Sequence, residues 1–137
     1  MKEIIKILKY KRFISSCFGI EDVRIEIRKR PKKHEKYNGF HRNKDKLIVL
    51  YKSEDMLSTL FHELTHAYQH RYLHMIMEDE EFYRSTNIDN YWNRPMEQHA
   101  RIVAKTLGMF INKYGIDALN EVSVKNIILN SLDKIVR

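Results

Sequence analysis

Between Leu57 and Ala67, apolar side chains return every three or four residues: Leu57, Leu60, Phe61, Leu64 and Ala67. That spacing predicts an amphipathic helix with one face committed to a core. The same stretch, STLFHELTHAYQH, carries His62, Glu63 and His66. Polar groups flanked by core side chains are costly without partners, so any fold built around this helix has to bring something to those three residues. Four residues along a helix correspond to about 40° of rotation and about 6 Å of rise. His62 and His66 therefore project from nearly one face and can converge on a single ion, each through a ring nitrogen at about 2.0–2.1 Å. Glu63, turned about 100° from His62, is placed to reach a water beside that ion, whose pKa the metal lowers to about 7. This is the physical content of His-Glu-x-x-His on a helix.

His70 and His74 extend the four-residue stripe, and a solvent-facing or structural histidine cluster is the plain alternative. Position argues against it, because the His62–His66 pair sits mid-helix among Leu60, Phe61 and Leu64. A catalytic zinc has three protein ligands and one open position. His70 lies a further 6 Å or so along the same straight helix, and the position six residues beyond the pair is Tyr72. The third ligand is therefore expected from another segment, and NYWNRPMEQHARIVAK is its source. Glu97 stands in the first turn of a helix opened by Pro95, with the small Ala100 three residues on. His99 is the rival and points about 160° away from Glu97. A glutamate favoured only by the helix dipole is the ordinary reading of Glu97.

The rest of the chain reads as an α+β protein. An amphipathic helix is expected over Lys2 to about Phe18, stopped by Gly19. Val23, Ile25 and Ile27 alternate with charges, predicting a half-buried strand, and LIVLY (Leu47 to Tyr51) a more buried one. Asn38-Gly39 supplies the positive φ of a tight turn, so Val23 to Tyr51 is expected to form a small, largely antiparallel sheet. Ser53 is the expected N-cap of the active helix, which runs to about Met77. Glu78 to Asn93 reads as an irregular connection, Pro95 to Gly115 as a helix, and about Asp117 to Ile135 as a last amphipathic helix.

FHELTHAYQH followed by YWNRPMEQHAR resembles the gluzincin class of zinc metallopeptidases, and is most similar to its minimal members, the minigluzincins. The resemblance covers about Val23 to Gly115, with the specific motifs in two short stretches. It implies a minimal zincin-like fold, with His62, His66 and Glu97 holding one Zn2+ per chain and Glu63 as general base and acid. It also implies a peptide or protein substrate, paired through the backbone of a sheet-edge strand at Leu47 to Tyr51. In thermolysin-type members an aspartate four residues after the glutamate orients a metal histidine. Here that position is Arg101, which leaves the partner of His62 or His66 unassigned. Tyr91 and His99 are candidates for stabilising an oxyanion.

At 137 residues the chain suits one domain: an N-terminal helix (1–20), a catalytic core (23–115) and a C-terminal helix (117–136). No apolar run approaches the roughly 20 residues of a membrane span, and lysines interrupt the N-terminal stretch, which reads as a helix and not as a signal peptide. The lone Cys17 excludes an internal disulfide, fits a reducing cytoplasm and is read as a buried core residue. The net charge of +7 concentrates between Arg24 and Lys36. A solvated face explains it; a nucleic-acid partner is the alternative. The competing functional class is accordingly a non-enzymatic adaptor that uses this basic surface. Trp92 and Tyr91 read either as pocket lining or as a hydrophobic anchor for the connection.

Overall fold

The computed structural model describes residues 2–34, 36–76, 79–81 and 93–136, and shows an α+β architecture. Helix α1 (Lys2–Cys17) leads into strands β1 (Arg24–Arg28), β2 (Gly39–Arg42) and β3 (Leu47–Tyr51). Helices α2 (Met56–Tyr68), α3 (Pro95–Tyr114) and α4 (Glu121–Ser131) follow. Most of the expected connection at Glu78 to Asn93, including Tyr91 and Trp92, lies outside the described residues. No helix among the described residues is long and apolar enough to cross a membrane.

The sheet has the order β1-β3-β2, with β1 parallel to β3 and β2 antiparallel to it. It is thus mixed and not largely antiparallel. The chain leaves β1, crosses beyond β3 to form β2, and returns by a hairpin, which sends β3 back beside β1 in the same direction. All five residues of LIVLY are buried, because β3 is central and covered on both faces. Ile48 and Leu50 join the main core, while Leu47, Val49 and Tyr51 pack with Phe40 on the other side.

The Asn38-Gly39 turn does not form. Gly39 opens β2, and the positive φ angles lie elsewhere, at Gly19, Gly115, Lys46 and His74. The β2–β3 hairpin turns through Asn43–Asp45 and Lys46, whose φ is 50°. Gly39 is needed for its missing side chain: a Cβ there would stand 2.4 Å from the Val49 carbonyl oxygen and 3.0 Å from Thr59 Cγ2. The strand therefore lies tightly between β3 and α2.

Helix α2 buries Leu57, Leu60, Phe61, Leu64 and Ala67 as its pattern requires. Its start and end differ from expectation. Asp55 precedes the first turn, and Ser53 Oγ accepts a hydrogen bond from the Asp55 N–H, two residues too early to cap the helix. Regular helix ends at Tyr68 and continues as one widened π-helical turn, Gln69–Leu73, before His74 reverses the chain at φ 51°. The last expected helix is regular over Glu121–Ser131, with single 3-10 turns at Ile116–Ala118 and Leu132–Lys134. Asn120 and Ser123 cap its start reciprocally.

Helices α1, α2, α3 and α4 share one core, with Ile7, Ile14, Phe18, Phe61, Leu64, Val103, Leu107 and Ile128 fully or almost fully buried. Each such side chain contributes roughly 1.5–3 kcal/mol. Cys17 lies in this core, and burial first, then the Glu121 charge, pushes its thiol pKa up.

Gly39→Ala should lower stability by about 1–3 kcal/mol, the cost of forcing atoms into a filled space. Urea denaturation checks it: the midpoint should fall with an unchanged slope, and an unchanged midpoint would mean that β2 can shift away from α2.

Candidate metal centre

Two helices supply the site. Residues His62 and His66 come from successive turns of α2, and Glu97 from the first turn of α3. Pro95 at the start of α3 has no N–H to leave unpaired, so the first backbone donor is that of Met96. The buried Asp79 accepts it at 3.1 Å, which fixes where α3 begins and hence where Glu97 stands. Ala100 and Ala104, on the same face of α3 as Glu97, are both buried.

His62 Nε2 and His66 Nε2 are 3.2 Å apart. Glu97 places Oε1 at 3.4 Å from His62 Nε2 and 3.2 Å from His66 Nε2, and Oε2 at 3.4 Å and 2.8 Å from the same atoms. Donors tetrahedrally arranged around one zinc at about 2.0–2.1 Å would sit roughly 3.3–3.4 Å apart. The three side chains are therefore already spaced as three corners of such a tetrahedron. Glu97 Oε2 is buried without a well-formed hydrogen bond despite its closeness to His66, and a buried carboxylate oxygen calls for positive charge against it, from a proton on the ring or from a cation. Among the described residues, His62, His66 and Glu97 are the group able to hold a metal ion.

The electrostatics agree. Burial alone would raise the Glu97 pKa, but the two imidazoles hold it well below the usual carboxylate range. Burial would lower that of His66, but the Glu97 carboxylate outweighs it and, with Glu63 and Gln69, pushes it up to about 9. The pair thus favours one positive charge between carboxylate and rings, supplied by a proton or by a metal ion. Glu63, 8% exposed, has its pKa raised by burial, with the two histidines opposing and Glu97 adding.

These groups line a cleft of about 710 Å³. Gly39, Phe40 and His41 of β2 contribute to it, as do Arg94, Met96 and Arg101 around the start of α3. The strand expected at the sheet edge, Leu47–Tyr51, is instead the central one, hydrogen-bonded on both sides. The edge strand beside the cleft is β2.

His99 is neither a ligand nor a cleft residue: it is fully buried, and its ring nitrogens meet Gln69 and the Ile128 carbonyl. Its turn of about 160° away from Glu97 already pointed that way. His70 lies outside the donor group, lining the cleft with its ring centre 5.5 Å from that of His41. Tyr72 donates its hydroxyl to the Gly19 carbonyl. Arg101 lines the cleft, and a guanidinium, which only donates, cannot take the place of the absent aspartate. Instead Gln69 Oε1 meets His66 Nδ1 at 2.8 Å, a partner that sequence reasoning missed, as it missed Asp79. The available signal for Gln69 was a polar residue directly after the apolar face, three positions beyond His66. In the basic segment Arg24 and Arg28 flank Glu26 as ion pairs, while Lys29, Lys32 and Lys33 are exposed.

Comparison with family models, with curated proteins and with solved structures returned no match to the chain.

Burial, and then the His70 and His66 charges, lower the pKa of His41 from 6.5 to about 4. The folded protein therefore binds fewer protons than the unfolded chain between those values. Its contribution to stability is full above pH 6.5 and is lost as pH falls toward 4. For this partly exposed ring the loss should be about 1–2 kcal/mol. Urea midpoints at pH 7 and 4.5 should separate less in His41→Asn than in the wild type; equal separation would exclude His41 as the source.

Proposed function

We propose that the protein is a zinc-dependent metallopeptidase of gluzincin type, hydrolysing peptide bonds in a peptide or protein substrate. One observation carries the reading: three donor side chains from two helices converge at zinc-like spacing in a cleft, with the buried carboxylate of Glu63 beside them. The likeness of FHELTH and the downstream glutamate to the gluzincin motifs supports it. His62, His66 and Glu97 would hold Zn2+. When bound, the ion supplies a Lewis acid that acidifies water and polarises a carbonyl.

Glu63 takes the proton from the attacking water and passes it to the leaving amine. Burial suits it to that exchange, since a raised pKa brings the carboxylate closer to neutrality and makes its acid form accessible. Among the described residues β2 is an edge strand bordering the cleft, and an extended peptide would add along its outer edge as a further strand. This assigns to β2 the pairing role expected of Leu47–Tyr51. A purely structural or adaptor role leaves Glu63 without a task, because a closed zinc site needs no base.

Elemental analysis of wild type and Glu97→Ala, purified side by side, should find close to one zinc per chain in the first and much less in the second. Equal zinc in both would remove Glu97 from the ligand set. Glu63→Gln should retain the metal and lose about 10²–10⁴-fold in peptide hydrolysis, the usual worth of a positioned acid–base group. Unchanged cleavage would sink the assignment of Glu63.

A further inference from the structure

We infer that Gln69 and His99 act as positioning residues, a buried relay of fixed proton direction that presents Nε2 of His66 to the metal and ties the site to α4. The inference rests on the zinc-site reading above for the identity of the ion, but not for the relay itself.

The direction follows from one end of the chain of contacts. The Ile128 carbonyl on α4 can only accept, and His99 Nε2 lies 2.8 Å from it; His99 therefore carries its proton on Nε2. In the neutral ring Nδ1 is then an acceptor, and Gln69 Nε2 stands 2.8 Å from it. A second acceptor-only group, the Met96 carbonyl, is 2.9 Å from the same amide nitrogen. Both amide hydrogens of Gln69 are thereby used, and its two amide ends cannot be exchanged. The amide oxygen is left facing His66 Nδ1 at 2.8 Å, where only an N–H can complete the bond. One proton of His66 is thus held on Nδ1, which leaves Nε2 as the nitrogen that takes up either a second proton or a metal ion. That nitrogen is the one 3.2 Å from His62 Nε2 and 2.8 Å from Glu97 Oε2.

Reversing any member would set two donors or two acceptors face to face, at about 1–3 kcal/mol for each buried group left unsatisfied. Gln69 and His99 are both fully buried, so water is not at hand to substitute. A carboxylate at position 69 would still accept from His66, but would confront the Met96 carbonyl and the His99 lone pair. A neutral amide alone offers one acceptor and two donors. Gln69 also opens the π-helical turn that ends α2, a local widening common where a helix serves a site. Through Met96 the same side chain grips the residue before Glu97, so one amide aligns ligands on both helices. The functional pattern in this chain extends to His62-Glu63-x-x-His66-x-x-Gln69 and Glu97-x-His99.

The test combines imidazole 15N spectroscopy of the wild type with zinc affinity by chelator competition. His99 should be the Nε2–H tautomer with or without metal, and in the zinc-loaded protein His66 should coordinate through Nε2 and keep its proton on Nδ1. Gln69→Met should bind zinc about ten- to a hundredfold more weakly, as for other partners of metal ligands, and His99→Phe should shift in the same direction by less. A residue with only a packing role would lower thermal stability and leave the zinc affinity of the folded protein unchanged. The inference is overturned by a zinc affinity of Gln69→Met within twofold of wild type, or by a proton on His99 Nδ1. If the variants fail to fold, the wild-type tautomers decide. Absence of zinc uptake by the wild type would instead refute the metal reading, with the His99 tautomer still deciding the relay.

Discussion

The meeting of His62, His66 and Glu97 between α2 and α3 is the constraint on which the rest of the structure depends. A carboxylate 4% exposed is held among apolar walls only if positive charge stands against it. Here the rings of His62 and His66 are the groups that face it, that of His66 within 2.8 Å. Such a contact survives only if the two helices are held at one separation and one rotation. The small residues Ala100 and Ala104 on α3, and the close-packed Leu60, Leu64, Val103 and Leu107, set that separation. Gln69 and Asp79 set the rotation, by taking the Met96 carbonyl and the Met96 N–H respectively.

The sheet serves the same end from the other side of the cleft. Because β3 is buried throughout and hydrogen-bonded along both edges, it is a fixed platform, and β2 is carried on it against α2. Gly39 allows that approach, since no side chain separates the strand from Val49 and Thr59. The result is a wall of backbone and of Phe40 and His41 along a cleft whose other lining comes from α2, the start of α3 and the segment before β2. Helices α1 and α4 complete the core, and α4 also reaches the site through the Ile128 carbonyl.

Much of this was legible along the chain where a local rule applied. The apolar face of α2, the paired histidines one turn apart, the proline opening α3 and the buried LIVLY strand each rest on periodicity or on the chemistry of one residue. Reading failed where one residue type serves two purposes. Asn38-Gly39 carries the marks of a tight turn, yet the glycine is used for close packing and the hairpin turns at Lys46. His99 looks like a metal or oxyanion residue by type, yet its nitrogens face the interior of the protein. Gln69 and Asp79 had no motif to announce them, because a buried amide or carboxylate is identified only by the groups that face it.

What the sequence by itself determined is the helix that carries His62, Glu63 and His66, its buried face, and a second helix able to deliver Glu97. These follow from intervals of three and four residues, which the geometry of a helix turns directly into shared directions. Only the tertiary structure decided that Glu97 meets both histidines within 2.8–3.4 Å, that β2 and not β3 borders the cleft, and that Gln69 and His99 orient His66. Those are contacts between segments tens of residues apart. Their distances depend on how whole helices and strands pack, and no interval along the chain encodes that.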